Sequence, residues 1–237
     1  HNLRLLRRTE YLNKMKIVPE DTELKFLGFG TMNGKDGKPF KTREGGVMRL
    51  ENLIAEIVEE MKKKISENRT VEESEAQQTA KIVGMSAIKY GDLSNQASKD
   101  YIFDVDRFTS FEGNTGPYIL YTIVRIKSIL NKYMAEGQKT DGLVIREAAG
   151  DSEKALMLEA AKYNEVIENA YAELAPHKIC AYIYDLANAF NRFYHETKIL
   201  SEEDENRKKS YIALLVPTRK ILESCIDMLG LEAPERM

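Results

Sequence analysis

Phe111-Glu112-Gly113-Asn114-Thr115-Gly116-Pro117, running into Tyr118-Ile119-Leu120-Tyr121, is the stretch that decides how this chain folds. Two glycines and a proline close whatever element comes before. Asn114 or Thr115 can cap the helix that follows, and Pro117 falls in its first turn, where a missing N–H leaves no bond unmade. From Pro117 to about Met134, Ile119, Leu120, Ile123, Ile126, Ile129 and Leu130 recur at the spacing of one buried helix face. Beyond it the chain reads as helical throughout. Residues 142–149 form a loop with some local extension. Asp151 or Ser152 caps a helix to Leu174, and Pro176 opens another to about Tyr194. Ser201, with the acidic first turn Glu202-Glu203-Asp204, opens the last. Gly230 is placed as a C′ residue, and Pro217 predicts a kink or a break. Four helices on short loops make a bundle of about 120 residues.

Upstream of Phe111 the pattern is mixed. Leu3, Leu6, Tyr11 and Met15 end a helix over 3–15, Pro19-Glu20-Asp21 turns the chain, and Leu24 to Phe29 alternates like a short strand. A Gly- and Lys-rich loop runs from Thr31 to Gly46. Leu53, Ile54, Ile57, Val58, Met61 and Ile65 give a helix over 53–65 one apolar stripe. A charged helix spans 71–90, ended by Gly91-Asp92, and 92–111 is irregular apart from Tyr101-Ile102-Phe103. The fold class expected is mainly α: a C-terminal helical bundle (114–237), a helical connector (51–113), and a small α/β piece (1–50).

The 237 residues are 43% apolar and 31% charged, ordinary for a globular protein with a real core. No apolar run reaches the roughly 18 residues of a membrane span, and the first residues have no signal-peptide core, so a membrane role is excluded and a cytoplasmic chain expected. A first residue other than Met suggests a chain that begins inside a longer one. Cys180 and Cys225 fall on apolar helix faces without a CxxC partner and read as buried free thiols, with a disulfide between them possible but unneeded. The net charge of −3 gives no global signature of nucleic-acid binding, but residues 1–50 carry eleven Lys/Arg against six Asp/Glu, a local excess that can steer a polyanion. His177 and His195 have no acidic or cysteine ligand pattern, so no metal site is expected.

Three segments carry candidate chemistry. In Gly34-Lys35-Asp36-Gly37-Lys38-Pro39-Phe40-Lys41-Thr42-Arg43-Glu44-Gly45-Gly46, glycines let backbone N–H groups approach a phosphate and clustered cations neutralise it; the spacing is not a Walker A loop. A solvated hairpin tip is the competing reading. Tyr118 and Tyr121 share one face at a helix start, where exposed aromatics stack unpaired bases and the N-terminus attracts phosphate; core tyrosines with satisfied hydroxyls fit the same spacing. The third is Tyr184 to His195, a helix ending in aromatics, with the closing Leu229 to Met237.

These motifs together resemble the arginyl-tRNA synthetases of class I. Gly28-Phe29-Gly30-Thr31-Met32 and the lysine-rich loop are similar to the family's signature-loop region, with Pro39-Phe40-Lys41-Thr42-Arg43 lying over the KMSKS motif and Thr42 replacing its second lysine. The resemblance implies that Lys41 and Arg43, supported by Lys38 and beside Thr42, stabilise the pyrophosphate leaving group of ATP. It makes 114–237 the anticodon-binding domain and assigns RNA contact to Asn114, Tyr118, Tyr121, Arg125, Tyr194 and Met237. The implied activity joins arginine to tRNA(Arg) with ATP and Mg2+. With three histidines and no HIGH motif, this chain is expected to bind the anticodon arm without ligating by itself, to need no cofactor of its own, and to be a monomer whose bared apolar surface can self-associate. The alternative is a helical protein-interaction module, which would bury Tyr118, Tyr121 and Tyr194, or a regulatory RNA-binding module.

Overall fold

The computed structural model describes residues 11–12, 14–19, 22, 25, 27–35, 37, 49–68 and 73–237. The element order is β1 (Met32–Asn33), α1 (Leu50–Asn68), α2 (Glu73–Leu93), β2 (Tyr101–Ile102), α3 (Val105–Phe108), α4 (Gly116–Ala135), α5 (Asp151–Ala161), α6 (Tyr163–Glu173), α7 (Pro176–Glu196) and α8 (Glu205–Met228). The signature-loop residues Lys38, Lys41, Thr42 and Arg43 lie outside the described residues, as do most of the expected 3–15 helix and the start of the expected 71–90 helix.

The mainly α expectation holds. Leu53, Ile57, Met61 and Ile65 recur every fourth residue on α1 and are buried against Ala76, Ala80, Val83 and Ala87 of α2. α2 in turn packs on α4, and α4 on α7 and α8. Phe190, Phe193, Ile183 and Leu186 of α7, with Leu215, Leu222 and Ile226 of α8, close the centre of the bundle, and one buried cluster runs from Leu53 to Leu231. Each such side chain removed from water contributes about 1.5–3 kcal/mol before chain entropy is charged against it.

The local signals that failed did so for identifiable reasons. The expected strand over 24–29 is absent from its described residues, Lys25 and 27–29; the strand is Met32–Asn33, paired parallel to Tyr101–Ile102. Gly30 sets this register. Its N–H donates to the Ala97 carbonyl at 2.8 Å, and a Cβ there would fall 2.3 Å from the Lys99 carbonyl. Gly91 does not end α2, which continues to Leu93; glycine is needed because a Cβ would press 2.8 Å from the Phe108 ring. The irregular 92–111 stretch holds β2 and α3, the latter capped by the Asp104 carboxylate.

Of the two candidate caps for α4, Thr115 takes the role: its Oγ1 accepts from the Tyr118 N–H at 3.2 Å. Asn114 is engaged elsewhere, its Oδ1 accepting from the buried Tyr90 hydroxyl, which also faces the Cys180 carbonyl at 2.8 Å. The single helix expected from 151 to 174 breaks at Lys162, and neither Asp151 nor Ser152 caps it; Gly150 holds the N-cap position without a side-chain bond. The buried Tyr182 hydroxyl reaches the carbonyls of Glu159 (3.2 Å) and Ala160 (3.5 Å), the acceptors that a continuous helix would use across this point. Asp204, not Ser201, caps α8, its carboxylate accepting from the N–H groups of Asn206 and Arg207. α8 then runs unbroken through Pro217. Gly230, at φ +68, ends it in a Schellman turn: its N–H bonds the Asp227 carbonyl and that of Leu231 bonds Ile226. Cys180 and Cys225 are buried and unbonded to each other, and burial pushes both thiols up to about 12.

Candidate nucleic-acid interface

α4 carries a second stripe beside its buried one. Tyr121, Arg125, Ser128 and Lys132 follow at intervals of four, three and four residues, so they share a face. Opposite this face stand Tyr194 and His195 at the end of α7, then Thr197, Lys198, Ile199 and Leu200, and finally Met237. These residues enclose an open groove of about 500 Å³. Arg125, Lys132, Lys198 and His195 line it with no Asp or Glu among them. The floor is apolar, from Val124, Ile129 and Ile199.

The aromatic walls are available to a ligand. Tyr121 and Tyr194 each keep 38% of their surface exposed. The Arg125 guanidinium carbon lies 4.6 Å from the Tyr121 ring centre and 5.0 Å from that of Tyr194, joining the two walls by cation–π contact. Tyr121 rests edge-on against Phe111, and Tyr194 packs on Phe190 and His195, so both rings are supported from behind. Met237 packs partly against the core while its outer side faces the groove.

Tyr118 belongs to a polar cluster behind Arg125. Its ring is half-buried against Tyr184, and desolvation holds its hydroxyl above the ordinary tyrosine range. That hydroxyl donates to Asn188 Oδ1 at 2.7 Å and accepts from Asn191 Nδ2 at 2.9 Å. Asn191 Nδ2 also donates to Thr122 Oγ1 at 3.2 Å, and its Oδ1 accepts from Arg125 Nη1 at 2.6 Å.

Four of the expected RNA-contacting residues therefore meet in one groove: Tyr121, Arg125, Tyr194 and Met237. Tyr118 stands behind them, and Asn114 is tied to Tyr90. Sequence reasoning missed Lys132 and Lys198. Lys132 was within reach, being two turns beyond Arg125 on the same face. Lys198 follows the end of α7, where periodicity carries no information. Among the described residues no group of three His, Cys, Asp or Glu side chains could hold a metal ion, and no helix is long and apolar enough to cross a membrane.

Residues 119–237 match the family described as DALR anticodon binding domain, and residues 5–105 match that described as tRNA synthetases class I (R), catalytic domain. An arginine–tRNA ligase of Agathobacter rectalis is 68% identical over 232 residues, covering 94% of this chain and 39% of the relative. One from Alkaliphilus oremlandii is 56% identical over 225 residues, with 94% and 38% covered. Among solved structures, the Thermus thermophilus arginyl-tRNA synthetase superposes with a TM-score of 0.78 at 25% identity, over 89% of this chain and 35% of its own. The Plasmodium falciparum arginyl-tRNA synthetase gives 0.77 at 27% identity, over 99% and 39%. The chain thus spans a little over a third of the length of these relatives.

Proposed function

Since the chain belongs to the arginyl-tRNA synthetases, carrying their DALR anticodon-binding domain and part of their class I catalytic domain, we propose that its groove seats the anticodon loop of tRNA(Arg). The observation that carries this reading is the pair of half-exposed tyrosines bridged by Arg125 in a groove lined by Arg, Lys and His but by no Asp or Glu side chain. Unpaired bases stack on tyrosine faces whatever their identity, at roughly 1–3 kcal/mol per base. Lys132 and Lys198 sit at the rim, where the sugar–phosphate backbone of a bound loop would run. Met237 offers a soft, polarisable surface to a base turned out of the stack. A protein-interaction module would have its tyrosines buried in an apolar face; the cationic, open lining favours RNA.

In the whole ligase this domain would hold one end of the tRNA while the catalytic domain joins arginine to the other with ATP and Mg2+. Lys38, Lys41, Thr42 and Arg43 are the proposed pyrophosphate contacts of that reaction. Without a HIGH motif the chain alone forms no arginyl-tRNA above background. The working unit is a cytoplasmic monomer, organised as 1–50, 51–113 and 114–237.

The test is a fluorescence titration of the chain with an anticodon stem-loop of tRNA(Arg) at low salt. The middle anticodon base is left as C or changed. Tyr194→Ala is expected to weaken binding of the native loop about tenfold, the worth of one lost stack, and the altered loop to bind less well. Equal affinity for both loops together with an unaffected Tyr194→Ala would remove the groove from consideration.

A further inference from the structure

Arginine can donate five hydrogen bonds and accept none. The Asn191 atom that meets Arg125 Nη1 at 2.6 Å must therefore be its carbonyl oxygen, which turns its amide nitrogen toward Tyr118 and Thr122. The Tyr118 hydroxyl, accepting from that nitrogen, directs its own proton to Asn188 Oδ1. Asn191, met by a group that can only donate, thus has a single permitted orientation. Thr122 fits the same sense, since its hydroxyl proton goes to the Tyr118 carbonyl at 3.0 Å and its oxygen is left to accept. We propose that Asn191 is a positioning residue for Arg125, locked by Tyr118 and Thr122, which holds the guanidinium plane between Tyr121 and Tyr194 before RNA arrives.

This inference rests on the groove reading above for its consequence, though not for its geometry. A free arginine side chain rotates about several bonds and loses that freedom on binding; a chain already held loses less, and affinity gains accordingly. One of the guanidinium donors is used by Asn191, and the others remain for an acceptor on the ligand, a phosphate oxygen or a base carbonyl. Tyr118 then contributes to RNA binding through its hydroxyl rather than as a stacking surface, its ring being taken by Tyr184.

The experiment has two arms, both on the whole chain. In the first, the free protein labelled with 15N-arginine is observed by NMR. The wild type is expected to show hindered rotation of the Arg125 guanidinium, with distinct Nη signals, and Asn191→Ala to collapse them to an averaged one. Hindered rotation persisting in Asn191→Ala overturns the proposal. In the second arm, the stem-loop RNA is titrated in a double-mutant cycle. Asn191→Ala should weaken binding about tenfold in the wild-type background, the worth of one hydrogen bond to a charged group, and not at all in an Arg125→Ala background. Further weakening there shows that Asn191 acts independently of Arg125 and overturns the proposal. If Arg125→Ala leaves RNA binding unchanged, the groove reading fails while the first arm still judges the positioning. Should Asn191→Ala not fold, Tyr118→Phe serves instead: it keeps the ring, removes the acceptor for Asn191, and is expected to loosen the Arg125 signals. Unchanged signals in that variant overturn the lock.

Discussion

Replacing Gly116 by alanine should be the most damaging single-methyl addition in the bundle. Gly116 begins α4 and lies directly on the backbone of α2. A Cβ there would stand 2.5 Å from the Ser86 carbonyl oxygen, 2.7 Å from its carbonyl carbon and 2.8 Å from Ser86 Oγ. Carbon–oxygen contacts in proteins settle near 3.3 Å, so the two helices must part by roughly 0.8 Å at this point. The obstacle is backbone and cannot rotate away, which places the cost at about 3 kcal/mol, the upper end for overpacking. Alanine returns up to about 1 kcal/mol in helix propensity, leaving a net loss of about 2 kcal/mol. For a chain of this length that lowers the melting temperature by about 4–8 °C. Thermal unfolding followed by circular dichroism reads it directly. Ser86→Ala is the control: Ser86 Oγ is buried and has no hydrogen-bond partner among the described residues, so its removal should stabilise by about 1 kcal/mol. It cannot rescue Gly116→Ala, because the backbone oxygen stays where it is. A Gly116→Ala protein melting within about 2 °C of wild type, or full rescue by Ser86→Ala, would refute the close approach of α2 and α4.

Two further outcomes follow from the groove and the core. Lys132→Ala should flatten the dependence of log affinity on log salt for the stem-loop RNA by about 0.7, one phosphate contact to single-stranded RNA; a salt titration showing the wild-type slope would take Lys132 off the backbone path. The thiols of Cys180 and Cys225 are protonated more tightly in the folded chain than the ordinary value of 9, by burial in both cases. Their pKa is raised on folding, so stability holds below pH 9 and falls as pH rises toward 12. The slope is about 1.4 kcal/mol per pH unit for each thiol. Urea midpoints measured from pH 8 to 11 should drop less steeply in Cys225→Ala, and an identical drop would mean that this thiol does not couple to folding.

The helix faces were legible because burial imposes periodicity. Ile119 through Leu130 and Leu53 through Ile65 needed only a count of spacings, and Gly230 needed only the known habit of helix ends. What the sequence hid was competition for hydrogen bonds over distance. Asn114 and Thr115 are both fair caps locally, and only the arrival of Tyr90 from α2 divides their roles. The break at Lys162 has no breaker residue in it, and the carbonyls it frees are met by a hydroxyl on α7. Gly30 and Gly91 look like punctuation but are contact points. At the groove, Tyr118 and Tyr121 were indistinguishable three residues apart, and the partners Asn188 and Asn191, some seventy residues on, separate a supported hydroxyl from an open ring. The signature-loop cations remain a reading of the sequence.

The β1–β2 pair carries a consequence for the order in which the chain assembles. Its rungs join residues 69 apart in sequence, Met32 with Tyr101 and Asn33 with Ile102. Closing a free loop of that length costs roughly 3–4 kcal/mol in chain entropy, more than two rungs of ladder can return. The pair can form only after α1 and α2 have met along their apolar stripes and brought its two ends near each other. It is therefore a late event in folding and an early one in unfolding, and its amides should exchange with solvent while those of α4 and α7 are still protected.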